Sequence, residues 1–150
     1  MDTITEFLIN VFESLGLYST NRGLGSLLKG MDKTCNGYTG DVIYNWVFLC
    51  WFFINTAIMV NYYRGIFNRP PFNKITWWLV NMLAGAVLLL FIAYFYANGA
   101  YGEKHCASLT ITAGDCWGFG FAAAIISFLW CVLLSLVLKI VSTVNKKIPF

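Results

Sequence analysis

Charged side chains are scarce in this 150-residue sequence: they make up 11% of it, and the chain has a single histidine. Hydrophobic residues account for 59%, whereas a soluble domain is nearer half apolar and a quarter charged. A soluble chain of this size cannot bury so much apolar surface in its core. The composition therefore excludes a soluble enzyme and a disordered chain. The net charge of only +3 also excludes a nucleic-acid-binding module.

Charge is missing altogether from three long apolar runs, at residues 43–63, 75–97 and 117–138, each 21 to 23 residues long. A helix of that length covers roughly 31–35 Å, enough to cross the hydrocarbon core of a bilayer. Backbone groups in lipid must bond within their own segment. The sequence therefore predicts an all-α integral membrane protein, with three transmembrane helices in a single membrane domain over residues 1–150.

The first 42 residues have a different pattern. Between Ile4 and Leu15, apolar residues recur at helical spacing, and Glu6 and Glu13 fall on the other side. This pattern predicts an N-terminal amphipathic helix that lies on the membrane surface or against the bundle. Gly16 is the predicted end of this helix, because glycine tolerates the left-handed conformation of a helix C-terminus.

The distribution of basic residues indicates the orientation of the spans. The loop after the first span and the tail 139–150 hold six of the ten Lys and Arg residues and none of the seven acids. These two segments are separated by two spans, so they share a side. The positive-inside rule then predicts a multi-pass protein of the cell (inner) membrane, with the N-terminus outside and the basic tail in the cytoplasm.

Three of the five cysteines, Cys35, Cys106 and Cys116, fall on the predicted outer side. An outer compartment permits disulfides, so we expect at least one link and a disulfide-stapled outer loop. Pairing of Cys106 with Cys116 is slightly favoured because both lie in one loop, but a link from Cys35 to either is also compatible with the sequence. His105 would complete a zinc-ligand set, but the paired cysteine spacing of zinc sites is missing. We therefore expect no metal and no cofactor.

Several polar side chains interrupt the first two spans, including Asn45, Asn55, Thr56, Asn61 and Asn81. An amide in lipid is costly unless it bonds to another helix or faces water. These residues are therefore candidates either for a pore wall or for bonds between helices. We favour bonds between helices for Asn55 and Asn81, and more strongly for Asn45 and Asn61, which lie near the membrane interfaces.

The third span carries a strip of small or polar residues at helical spacing: Gly120, Ala123, Ser127, Cys131 and Ser135. Small side chains let two helix backbones approach closely. The strip predicts a helix contact within or between chains, and with it a homo-oligomer of closed symmetry.

The spans lack the ionisable residues that proton relays, pumps and intramembrane enzymes place there, and no nucleophile with a base is recognisable. We therefore expect no enzymatic activity. The favoured interpretation is a channel or pore-forming subunit of a homo-oligomer. The alternative is a non-catalytic membrane anchor or scaffold subunit of a larger complex that a partner protein regulates. The expected partners are the lipid bilayer, further copies of the chain, and a membrane or soluble protein, but not nucleic acid.

Overall fold

The computed structural model describes residues 3–20, 23–35, 37–64, 74–102, 106 and 108–141. Within these residues the fold is all-helical. The elements are α1 (Thr3–Ser14), α2 (Leu24–Leu28), α3 (Ile43–Arg64), α4 (Ile75–Gly102), α5 (Ala113–Leu138) and a short 3-10 turn (Lys139–Val141). The three helices α3, α4 and α5 are long and apolar enough to cross a membrane, which confirms the three predicted spans.

The helices do not end where the apolar runs end. Helix α4 continues past residue 97 to Gly102, because a helix need not stop where its side chains become polar. Helix α5 begins at Ala113, before its apolar run, because Thr112 caps it. The Thr112 hydroxyl accepts from the backbone N–H of Asp115, and the Asp115 carboxylate accepts from the Thr112 N–H. This capping box bonds donors that a helix N-terminus leaves open.

Helices α3, α4 and α5 pack as a three-helix bundle. Glycines mark the closest approaches: a Cβ at Gly120 would lie 2.9 Å from the carbonyl oxygen of Leu90, and one at Gly85 would lie 2.9 Å from Asn55 Oδ1. About a third of each span is buried, at 33% of its most apolar window. The opposite faces are apolar and exposed, as at Leu49, Phe53, Leu83, Val87, Phe95, Leu129, Leu133 and Val137.

The two ends of the bundle differ, and we name them by what they carry. The basic end holds Arg64, Lys74 and Lys139, which border α3, α4 and α5. The capped end is covered by the N-terminal segment, residues 3–41. Each end has its own hydrophobic cluster. The capped-end cluster is built around Phe12, Tyr18, Tyr44, Phe48 and Phe119. The basic-end cluster consists of Met59, Tyr62, Tyr63, Trp78, Met82 and Cys131.

Helix α1 packs on the capped end through its buried residues Ile9 and Phe12. The ring centroid of Phe12 lies 5.3 Å from that of Phe48 and 5.8 Å from that of Phe119. Gly16 follows α1 with φ of 64°, a left-handed conformation that ends a helix. The chain then crosses α5.

A turn between Gly30 and Gly40 carries the disulfide. Asp32 N–H donates to the Gly37 carbonyl and Gly40 N–H to the Gly30 carbonyl, both at 2.9 Å. Cys35 lies in this turn with φ of 65° and is linked to Cys106, with a Cα–Cα distance of 5.4 Å. The expected disulfide among Cys35, Cys106 and Cys116 is confirmed, and the link joins the segment between α4 and α5 to the N-terminal segment.

The favoured Cys106–Cys116 pairing is wrong. Cys116 is a free, buried thiol. The capping box starts α5 at Ala113, so Cys116 belongs to the first turns of the helix and is drawn into the capped-end cluster.

Candidate functional site

Asn55 is the central polar residue of the bundle and is 0% exposed. Its Nδ2 donates to the Trp51 carbonyl oxygen at 2.8 Å. Its Oδ1 accepts from Ser127 Oγ at 2.8 Å and from Cys131 Sγ at 3.3 Å. Gly85 of α4 packs against the same oxygen. The amide therefore lies where all three spans meet.

The hydrogen bonds of Asn55 offset the free-energy cost of placing its amide in lipid. An unbonded amide in an apolar medium costs several kcal/mol, on the order of 2–7, and the bonds from α5 remove much of that cost. The absence of a Cβ at Gly85 leaves room for Asn55 Oδ1. The residue types at Asn55, Gly85 and Ser127 are thus mutually dependent.

A second polar contact joins the spans near the basic end. Ser135 Oγ of α5 shares a hydrogen bond with the Tyr63 hydroxyl of α3 and accepts from Trp78 Nε1 of α4 at 3.0 Å. All three side chains are buried. Sequence reasoning did not predict that Tyr63 and Trp78 contact Ser135. The available signal was that each lies at the same end of its span as Ser135 and carries a donor on an aromatic ring.

The small-residue strip is covered by the chain's own helices. Its five members, Gly120, Ala123, Ser127, Cys131 and Ser135, are all buried within the bundle. Two of them bond to Asn55 and a third bonds to Tyr63 and Trp78. The strip therefore lies inside one chain.

Of the other polar candidates, Asn45 and Asn81 lie apart from Asn55, whereas Thr56 directly follows it in α3. Asn45 is exposed in the first turn of α3, at the capped end, whereas Asn81 is half-buried near the basic end. Asn81 Nδ2 donates to the Trp77 carbonyl of its own helix at 2.8 Å. Thr56 Oγ1 is buried and has no hydrogen-bond partner among the described residues. The three occupy different depths of the bundle.

Polar bonds also attach the N-terminal segment to the capped end. The Tyr18 and Tyr44 hydroxyls are buried and 2.6 Å apart, and Ser19 N–H donates to Asp115 Oδ1 at 2.7 Å. Burial raises the pKa of Tyr18 above its ordinary value, so its phenol stays neutral at physiological pH. The segment is thereby bonded to both α3 and α5.

A groove opens between the turn at residues 30–41 and the capped ends of α3 and α4, with a volume of about 800 Å³. Its lining is apolar toward the spans and charged toward the turn. The apolar side includes Ile43, Trp46, Phe95 and Tyr96, and the charged side includes Asp32, Lys33 and Asp41.

Among the described residues, no group of three or more His, Cys, Asp or Glu side chains is placed to hold a metal ion. His105, the histidine of the zinc alternative, lies outside the described residues. Cys35 and Cys106 are bonded to each other, so neither is available as a thiolate ligand.

Comparisons with protein-family models, with curated proteins and with solved structures found no match to this chain. Its function is therefore inferred from its own geometry, above all from the placement of its polar side chains.

Proposed function

We propose that this chain is a non-catalytic anchor or scaffold subunit of a larger membrane assembly. One observation supports this most: the fully buried polar residues of the spans, Asn55, Ser127 and Ser135, bond to other side chains of the same chain. Asn55 and Ser135 are bonded across helices of the same chain, while the large exposed side chains of the spans are mostly apolar. A conducting pore needs polar groups facing water, and these residues are used for packing instead.

The chemistry of the buried groups supports a non-catalytic role. Within the spans they are amides, hydroxyls, indoles and thiols. General acid–base catalysis needs a titratable group that contacts a substrate. Asp115, in the first turn of α5, is engaged by Ser19 and Thr112.

We place the capped end outside a cell (inner) membrane and the basic end in the cytoplasm. Arg64, Lys74 and Lys139 support this orientation through the positive-inside rule. The Cys35–Cys106 link at the capped end suits an oxidising compartment. The predicted tail and the rest of the basic loop, at residues 142–150 and 65–73, lie outside the described residues.

Helix α1 is proposed to be amphipathic and to lie along the outer membrane surface. Ile9 and Phe12 face the bundle, and Glu6 and Asn10 are exposed. Phe7 is also exposed, at 66%, a placement that suits contact with lipid or with a partner protein. In this proposal, the partner that regulates the assembly docks at the capped end.

The second candidate is a homo-oligomeric channel. The exposed Asn45 and the half-buried Asn81 favour it, since both lie on the outer surface of the bundle where a neighbouring copy would pack. The subunits would meet through other faces than the strip, because the strip is covered within the chain. Water would then pass along an axis between copies.

Flux measurements separate the two functions. The purified chain is reconstituted in liposomes, and ion and small-solute flux is measured together with the native mass in mild detergent. The scaffold proposal expects no flux above that of empty liposomes, whatever the oligomer size. Flux that Asn45→Leu or Asn81→Leu abolishes, and that Leu129→Ile on the exposed face retains, would establish the channel and overturn the scaffold.

Site-specific crosslinking tests the partner directly. A photoreactive amino acid replaces Phe7 at the capped end or, as a control, Leu129, which is 57% exposed on α5. The scaffold proposal expects a protein adduct of reproducible mass from position 7 and none from position 129. Adducts to lipid alone, or to a second copy of this chain alone, would contradict it.

A further inference from the structure

The groove at the capped end is an open cleft bounded by a braced turn. Its roof is the turn at residues 30–41, closed at its base by the Gly40 N–H to Gly30 carbonyl bond and tied at Cys35 by the disulfide to Cys106. Gly30 has φ of 85°, and a Cβ there would lie 2.4 Å from the Gly40 carbonyl oxygen. The roof is therefore held in place independently of any occupant.

The two sides of the groove offer different chemistry. Trp46 and Phe95 expose 55% and 65% of their surface beside it, at the ends of apolar spans where aromatic rings mark the membrane interface. On the turn, Asp32 and Asp41 supply two carboxylates and Lys33 one ammonium. Thr34 donates to Asp32 Oδ2 at 2.9 Å, which orients that carboxylate.

We propose that this groove binds a zwitterionic aminophospholipid, with phosphatidylethanolamine as the representative lipid. Its primary ammonium would lie against Asp32 and Asp41, its phosphate against Lys33, and its first acyl-chain carbons along Trp46 and Phe95. Both charges of the head group then meet the opposite charge. The volume of about 800 Å³ is within the range of small-molecule sites and admits the glycerol as well as the head group.

The charge of the described lining residues favours a zwitterionic lipid over an anionic one. Among these residues, two carboxylates and one ammonium leave one net negative charge, which repels phosphatidylglycerol and does not repel a zwitterion. The proposal rests on the membrane location of the spans and is independent of the scaffold function. A loss of lipid binding therefore leaves the flux and crosslinking results unaffected.

A pair of glycines in the last turns of α4 provides a matched test. Gly99 lines the groove, whereas Gly102 does not, and a Cβ at either position would have no atom within 4 Å. Gly99→Leu therefore adds a large side chain at a position that lines the groove, and Gly102→Leu adds the same side chain at a position outside the lining. Both variants are first checked for an unchanged melting temperature.

The measurement is native mass spectrometry of the whole chain in detergent, titrated with phosphatidylethanolamine or phosphatidylglycerol of identical acyl chains. We expect the ethanolamine lipid to bind about tenfold more tightly, the effect of one favourable ionic contact. We expect Gly99→Leu to weaken that binding about tenfold and Gly102→Leu to leave it unchanged. Asp41→Asn should reduce the preference between the two lipids.

Three results would overturn the proposal. The first is phosphatidylglycerol binding as tightly as phosphatidylethanolamine. The second is equal lipid binding by the Gly99→Leu and Gly102→Leu variants. The third is soluble phosphoethanolamine binding as tightly as the lipid, because the apolar side of the groove would then contribute nothing.

Discussion

Two buried tyrosines of α3 show how differently the ends of the bundle are held. At the capped end, the Tyr44 hydroxyl bonds to Tyr18 of the N-terminal segment. At the basic end, the Tyr63 hydroxyl bonds to Ser135 of α5. One residue type thus attaches a covering segment at one end and joins two spans at the other. The capped end depends on the N-terminal segment, whereas the described residues of the basic end are bonded from span to span.

This difference separates two contributions to stability. The capped end is held by aromatic packing around Phe12 and by a disulfide between residues 71 positions apart. The basic end and the middle of the bundle are held by hydrogen bonds at Ser135 and Asn55. A substitution at one end should therefore lower the stability of that end without disturbing the other end.

The largest effect is expected from removing the disulfide with the double variant Cys35→Ser, Cys106→Ser. A link across a long loop typically stabilises a fold by about 2–4 kcal/mol. We expect lower stability in detergent melts and faster proteolysis of the turn at residues 30–41, with the basic end unchanged. Cys50→Ser, which removes a half-buried free thiol, is the control. Equal stability of the double variant and this control would contradict the prediction.

The next largest effect is expected from Gly118→Ala, which should release the N-terminal segment. The added Cβ would lie 1.9 Å from the Leu17 carbonyl oxygen, and overpacking of this kind costs about 1–3 kcal/mol. We expect rapid proteolysis within residues 3–20 while the spans stay folded. Gly114→Ala is the matched control, since its Cβ would lie 3.5 Å from Thr112 Oγ1. A protease-resistant Gly118→Ala segment would show that the cap is not packed on α5.

Ser135→Ala tests the basic end. It leaves the Tyr63 hydroxyl and the Trp78 N–H without their shared partner, at a cost of about 1–2 kcal/mol. We expect a lower melting temperature with unchanged protease resistance of residues 3–20. If the N-terminal segment is released as well, the two ends are coupled and the comparison fails.

The smallest effect is expected from Ser127→Ala, in the middle of the bundle. Asn55 Oδ1 loses one donor but keeps Cys131 Sγ. The free energy of unfolding should therefore fall by about 0.6 kcal/mol, the mean for hydrogen bonds inside membrane proteins. Chemical unfolding of the two serine variants side by side measures this difference. A larger loss of unfolding free energy for Ser127→Ala than for Ser135→Ala would contradict the prediction that Ser135 contributes more to stability than Ser127.

The spans were predictable from sequence because twenty or more apolar residues without charge are compatible with few structures besides a membrane helix. Their ends were less predictable. The start of α5 depends on the Thr112–Asp115 capping box, which a hydropathy pattern does not register. The continuation of α4 to Gly102 reflects backbone bonding that persists after the apolar side chains end.

The contacts of the candidate residues required the tertiary structure. Asn55 was recognisable as a polar residue in lipid, but its partners Ser127 and Cys131 are 72 and 76 residues away. The pairing of Cys35 with Cys106 likewise depends on where the turn docks. The pairing of Cys106 with Cys116 was favoured because the two are close in sequence. It was wrong because Cys116 lies in helix α5 and not in the loop.

The central claim is that the fully buried polar residues of the spans, Asn55, Ser127 and Ser135, bond inside the chain and do not line a water path. Cys131 reports on it directly, since its Sγ lies 3.3 Å from Asn55 Oδ1. In the variant Cys50→Ser, Cys116→Ser, Cys131 is the remaining free thiol. A membrane-impermeant methanethiosulfonate reagent is applied to this variant under non-reducing conditions. The same variant with Tyr38→Cys, at a position 56% exposed, is the reference for labelling. We expect no labelling of Cys131 until the protein is denatured, whereas labelling of the native protein at a rate close to that of position 38 would contradict the claim.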